Sequence, residues 1–155
     1  MFSNELICNI LDYIDTNIDV EIKIDTLANI FYFNRTYIMK KFKKELGISI
    51  INYINMKKIY NSLKYFKDNK SILEIALRSG FNSQEYYTEM FRNILNVSPL
   101  TYKKYINYIV KLDIKEIETI QKKIIEIEIL LNFITKYKTN RKPRAMVKTL
   151  SLFDK

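Results

Sequence analysis

A chain of 155 residues, 48% hydrophobic and with a formal charge of +9, can bury one core, or two small lobes sharing a helix. The absence of histidine, of a Gly-rich phosphate loop and of any cysteine besides Cys8 removes the usual general base, a zinc site and any intramolecular disulfide, so neither catalysis nor a metal or cofactor is expected. No stretch approaches about 20 consecutive apolar residues and the N-terminus has no cleavable leader pattern, so a soluble, cytoplasmic chain with no membrane partner is expected.

The charge is uneven. Residues 1–34 carry one basic side chain against six acidic ones, whereas residues 35–67 carry nine against one. An acidic front beside a basic middle suggests a directed face for nucleic acid, against the plainer reading of a lysine-rich solvated surface. In chain order the periodicity is helical. Ser3 or Asn4 can cap a first helix whose apolar positions are Leu6, Ile7, Ile10, Leu11 and Ile14. A short helix about 25–31 follows, with Leu27, Ala28 and Phe31 inward. Asn34 caps the next, where Ile38, Phe42 and Leu46 recur every four residues and Gly47 closes the helix. A long helix is predicted at about 50–67, with Ile51, Ile54, Ile59, Leu63 and Phe66 inward. Further helices are predicted over 72–79 and 84–95, the latter turning Tyr87, Met90, Phe91, Ile94 and Leu95 to one face. The expected fold class is all-α.

Gly80 stands between the last two helices. Helix, short turn, helix, with the small Ala76 four residues before the glycine, is a helix-turn-helix arrangement. Gly80 can take the left-handed backbone that ends the first helix, and Phe81 can drop between the two. An ordinary helical corner has the same pattern, but an internal repeat separates the readings. At an offset of 48, Leu27-Ala28 matches Ile75-Ala76 and Phe33-Asn34 matches Phe81-Asn82. At an offset of 49, Phe42, Leu46, Ser49 and Tyr53 match Phe91, Leu95, Ser98 and Tyr102. Two such units, at about 24–46 and 72–95, would present two reading helices to successive major grooves, roughly 34 Å apart.

Residues 5–105 resemble the DNA-binding domain of AraC/XylS-type transcriptional regulators, most closely from Ala76 to Lys104, through Gly80-Phe81, Tyr87, Phe91, Ser98-Pro99 and Tyr102. The resemblance implies seven helices, two helix-turn-helix units and promoter DNA as the partner, and it leaves RNA polymerase as a further one. Four positions depart from the family pattern. Tyr32 stands where Gly is usual, which predicts a distorted first turn; Asn96 also replaces a usual Gly, Lys58 a frequent Arg and Ser62 a frequent Ala. The family's sensor domain has no counterpart before the module in this sequence, which puts ligand sensing in doubt.

By position, base contacts are expected from Arg35, Thr36, Met39 and Lys40 in the first unit and from Gln84, Glu85, Thr88 and Glu89 in the second. Arg35 or Lys40 suits guanine edges. A glutamate is repelled by phosphate but can accept from cytosine N4, so Glu85 or Glu89 would specify while adding little affinity. Lys41, Lys43, Lys44, Lys57, Lys58, Arg92, Lys103 and Lys104 are the candidates for phosphate contacts. Two rival functions are an architectural protein that binds DNA without sequence preference and a helical protein-interaction module.

Past residue 108, Ile117, Ile120, Ile124, Ile127, Leu131 and Ile134 alternate steps of three and four. That is a heptad seam, widened by Ile125, Ile129, Leu130 and Phe133. With Ile106, Ile109, Val110 and Leu112 carrying the helix out of the domain, the exposed stripe is expected to pair with a second copy as a homodimer. Residues 139–155 are basic, with Pro143 breaking any helix, and read as a flexible tail.

Overall fold

The protein was analysed as a computed structural model, which describes residues 3–107 and 113–140. The described residues form eight α-helices and no strand: α1 Ser3–Thr16, α2 Ile24–Phe31, α3 Arg35–Leu46, α4 Ile50–Ser62, α5 Ile72–Arg78, α6 Gln84–Leu95, α7 Pro99–Ile106 and α8 Ile114–Asn140. No helix among them is long and apolar enough to cross a membrane.

The sequence repeat is a repeat of backbone devices. Tyr32 and Gly80 both take the left-handed conformation at the turns, and Gly47 and Asn96 both take it after the reading helices. Ser49 and Ser98 then cap α4 and α7, their hydroxyls accepting from Asn52 N and Thr101 N. The ring pairs repeat as well: Phe42–Tyr53 and Phe91–Tyr102 each have centroids 5.7 Å apart. These four rings are buried, along with Leu27, Ile38 and Leu46 in the first unit and Ile75, Phe81 and Leu95 in the second. Asn34 caps α3 by accepting from Thr36 N, and Ser71 with Glu74 forms a reciprocal capping box on α5. The expected distortion at Tyr32 is absent. Its φ of 58° and ψ of 39° close the turn as a glycine would, at a cost of about 1–2 kcal/mol for a residue bearing Cβ.

The joining helix is shorter than predicted. α4 stops at Ser62, and Leu63–Lys67 tightens into a 3-10 helix. At the junction the buried hydroxyl of Ser62 donates back to Ile59 O at 2.6 Å and also pairs with Tyr87 OH at 2.8 Å, a back-bond of the kind that bends helices. α4 is buried on most of its circumference, including Tyr53, Asn55, Met56, Lys58 and Ile59, because α3, α5, α6 and α8 all pack on it. Ile51, expected inward, is 41% exposed, and Ile50 takes the core position instead.

α8 lays one face of its stripe on its own chain. Ile120, Ile127 and Ile134 of its stripe are buried, Ile117, Ile124 and Leu131 are half-buried, and the surface they meet belongs to the same chain. Leu130 and Tyr137 are buried beside them, whereas Ile125 and Ile129 face outward. Tyr60 on α4 donates to Glu128, and Lys138 pairs with Asp12 and Asp15 on α1. Much of the stripe's apolar surface is therefore covered within one chain. Ile109, Val110, Leu112, Arg141 and the rest of the basic C-terminal segment lie outside the described residues.

Candidate nucleic-acid interface

In α3 the core takes Ile38, Phe42, Glu45 and Leu46, so a 100° step per residue turns Thr36, Tyr37, Lys40, Lys43 and Lys44 outward. All five are exposed. Arg35 is exposed too, but its guanidinium spans back to Asp25 on α2, with Nη1 at 3.1 and 3.2 Å from the two carboxylate oxygens. Met39 is half-buried at the edge of the core. Tyr37, passed over in the sequence, has its ring stacked on Phe33 at 5.2 Å with 15° between planes while remaining 44% exposed. The signal for it was an aromatic side chain one step off the buried four-residue spacing.

In α6 the core takes Tyr87, Phe91, Ile94 and Leu95. Gln84, Glu85 and Glu89 are exposed and Thr88 half-buried, and with Arg92 and Asn93 they line one shallow depression. The predicted reading residues of this unit are therefore brought together on one face. Ser83 caps the helix by accepting from Tyr86 N. Tyr86, also passed over, is 42% exposed and accepts a hydrogen bond at 2.9 Å from Asn55 Nδ2 on α4.

The candidate phosphate contacts divide. Lys43, Lys44, Arg92 and Lys104 are exposed and make no ion pair among the described residues, and the same holds for Lys40, the base-contact candidate beside them. The other four cations are engaged. Lys41 pairs with Glu45 at 3.0 Å and Lys103 donates to Lys70 O at 2.6 Å. Lys57 pairs with Asp15, and burial beside Lys138 pushes its ammonium down to about 8. Lys58 is excluded as a phosphate contact: it is 3% exposed and its Nζ is enclosed by the carbonyls of Ile18, Val20 and Gly80. A charge count cannot see this, because it treats every lysine as a surface group.

No group of acidic, cysteine or histidine side chains suited to a metal ion occurs among the described residues. A helix-turn-helix domain family matches residues 27–105. Over 104 residues the chain is 31% identical to the transposon Tn10 TetD protein of Escherichia coli, covering 66% of this chain and 75% of that one. Over 96 residues it is 32% identical to the multiple antibiotic resistance protein MarA of Escherichia coli K12, covering 61% and 76%. Among solved structures it resembles the C-terminal domain of AraT, a response regulator from Geobacillus stearothermophilus, with a TM-score of 0.61 at 24% identity over 64% of this chain and 84% of that one. An AraC-type regulator from Chromobacterium violaceum gives a TM-score of 0.52 at 23% identity, covering 60% and 84%. At those identities the likeness to solved structures is one of fold.

Proposed function

As the chain belongs to the AraC family of helix-turn-helix proteins and is a sequence-specific DNA-binding transcriptional regulator, we propose that α3 and α6 read two successive major grooves with unequal roles. The observation that carries the reading is the contrast between two matched outward faces. The α3 face offers Thr36, Tyr37, Lys40, Lys43 and Lys44, and the α6 face offers Gln84, Glu85, Thr88 and Glu89. Cations on α3 supply counterion release and guanine donors, which is affinity. Carboxylates on α6 are repelled by phosphate and gain only where a cytosine N4 amine meets them, which is selectivity.

In this reading Lys40 approaches a base edge while Lys43, Lys44, Arg92 and Lys104 hold the backbone. Arg35 reaches DNA only by exchanging Asp25 for it. One copy of the chain carries both reading helices, and the burial of the α8 stripe supports action as a monomer on an asymmetric promoter site in the cytoplasm. As an activator it would also touch RNA polymerase.

Binding-site selection by the full chain from random duplex DNA tests this. The expected product has two conserved blocks about one helical turn apart, with cytosine-rich information in the block read by α6. Selected sites that carry no shared sequence, or equal affinity for selected and random DNA, would overturn the reading in favour of an architectural binder.

A further inference from the structure

Lys58 sits on α4, the helix joining the two units, yet it bonds to neither its own helix nor solvent. Its Nζ donates to Ile18 O at 2.8 Å and to Val20 O, both in the loop after α1, and to Gly80 O at 3.2 Å in the second unit's turn. An ammonium has three N–H bonds, and here each meets one carbonyl. The loop and the turn also touch directly. A Cβ on Gly80 would overlap the Lys58 Nζ and lie 2.9 Å from both the Asp19 carbonyl carbon and the Val20 oxygen. One turn earlier on the same side of α4, Asn55 holds Tyr86 of the second reading helix. Lys58 and Asn55 both line the cleft between the units, with Ile22, Ile54 and Phe81 as its apolar walls.

We propose that Lys58 is a positioning residue: it locks the α1–α2 loop that leads into the first unit to the turn of the second, and so fixes the spacing between half-sites that the protein accepts. The inference rests on the two-groove reading above. A single helix joining two units leaves their relative tilt open at its ends, whereas a buried ammonium that loses an acceptor is left with an unsatisfied charge. The loop and the turn therefore move as one body while the ammonium persists. Burial pushes Lys58 down to about 8, and Asp19 and Glu21 facing it pull in the opposite sense. Above that pH a neutral amine keeps only two N–H bonds for three carbonyls.

The test uses the full chain in two arms. In the first, spin labels at Thr36 and Glu89, in a Cys8→Ala background, report the distance between the reading helices without DNA. The expected distribution is narrow at pH 7 and broader at pH 9.5. It stays narrow at both pH values in Lys58→Arg, whose guanidinium does not titrate, and is broad at both in Lys58→Met. A Lys58→Met distribution as narrow as the parent's would overturn the proposal. So would equal alkaline broadening in Lys58→Arg, which would assign the effect to Lys57. If Lys58→Met does not fold, the parent and Lys58→Arg still decide. In the second arm, inserting one base pair between the selected blocks should weaken parent binding by about tenfold and Lys58→Met binding by less than about threefold, with single-block affinity unchanged. Equal penalties in both proteins would refute the role. If selection returns single-block sites, the two-groove reading fails, while the label distances still judge the clamp.

Discussion

The repeat makes Tyr32 and Gly80 equivalent positions, yet substituting them should move stability in opposite directions. Tyr32 holds φ 58° with 93% of its surface exposed, so Tyr32→Gly removes almost no packing. Relief of the left-handed conformation is worth about 1–2 kcal/mol. The added freedom of glycine in the unfolded chain returns about 0.5–1 kcal/mol of that. The net expectation is a gain of about 0.5–1 kcal/mol, or roughly 1–4 °C in Tm for a chain of this size. Gly80→Ala places a Cβ at φ +81° against two backbone atoms at 2.9 Å and the Lys58 ammonium. The lysine could swing aside only by abandoning its carbonyls, and the Asp19–Val20 backbone cannot yield without moving the loop. Left-handed strain of about 1–2 kcal/mol and overpacking of about 1–3 kcal/mol give a loss of about 2–5 kcal/mol. Urea unfolding at constant m-value measures both changes. If both variants shift the midpoint in the same direction, the equivalence of the turns, or the assignment of strain to Tyr32, is wrong.

DNA affinity should fall with salt at a log–log slope of about −3.6, as the four exposed cations assigned to the backbone predict; a slope steeper than about −6 would show that the paired lysines also reach phosphate. Lys40→Ala should weaken binding to a selected site by at least about tenfold, whereas Glu89→Ala should leave random-DNA affinity unchanged or higher, and the reverse order on the same fragment would refute the division of roles. Stability should decline above about pH 10. Burial raises the hydroxyl of Tyr102 to about 12 and those of Tyr53, Tyr87 and Tyr137 further, so the unfolded chain releases protons that the folded one retains. A flat urea midpoint from pH 9.5 to 11.5 would contradict that. Ile127→Asp should destabilise by more than about 3 kcal/mol and Ile125→Asp by less than about 0.5 kcal/mol, with the parent sedimenting as a monomer at micromolar concentration; a dimer that either substitution dissociates would restore the coiled-coil reading.

The helices, the turns and the repeat were legible because each rests on local rules. Ser49 and Ser98 cap, Gly47 and Asn96 reverse the chain, and the buried positions recur at the helical period. What was hidden depended on who meets whom. The stripe on α8 announced that it needed an apolar partner, but a heptad pattern is the same whether the partner is a second copy or the chain's own domain. α4 hid more. With seven neighbouring positions from Tyr53 to Ile59 buried or half-buried, it has no polar face to read, and a lysine within it looks like any other lysine. Tyr37 and Tyr86 were missed for the converse reason. Apolar periodicity sends aromatic residues inward, while these two rings are held at the surface, Tyr37 by stacking on Phe33 and Tyr86 by a bond from Asn55.

The same logic recasts the charge asymmetry between the acidic front and the basic middle. Asp25 is occupied by Arg35, Asp15 by Lys57 and Lys138, and Asp12 by Lys138, while Asp19 and Glu21 lie near Lys58. Much of the acidic front is therefore internal counter-charge for cations that the block count had assigned to DNA. After those pairs are removed, the positive charge left in the first unit is concentrated on the outward turns of α3, at Lys40, Lys43 and Lys44. A compact source of this kind orients an approaching duplex toward one helix, where a uniformly basic surface would hold it in any register. The front acids thus have two effects at once: they fasten α1 and α8 to the domain, and they confine the attraction for DNA to the helix that reads it.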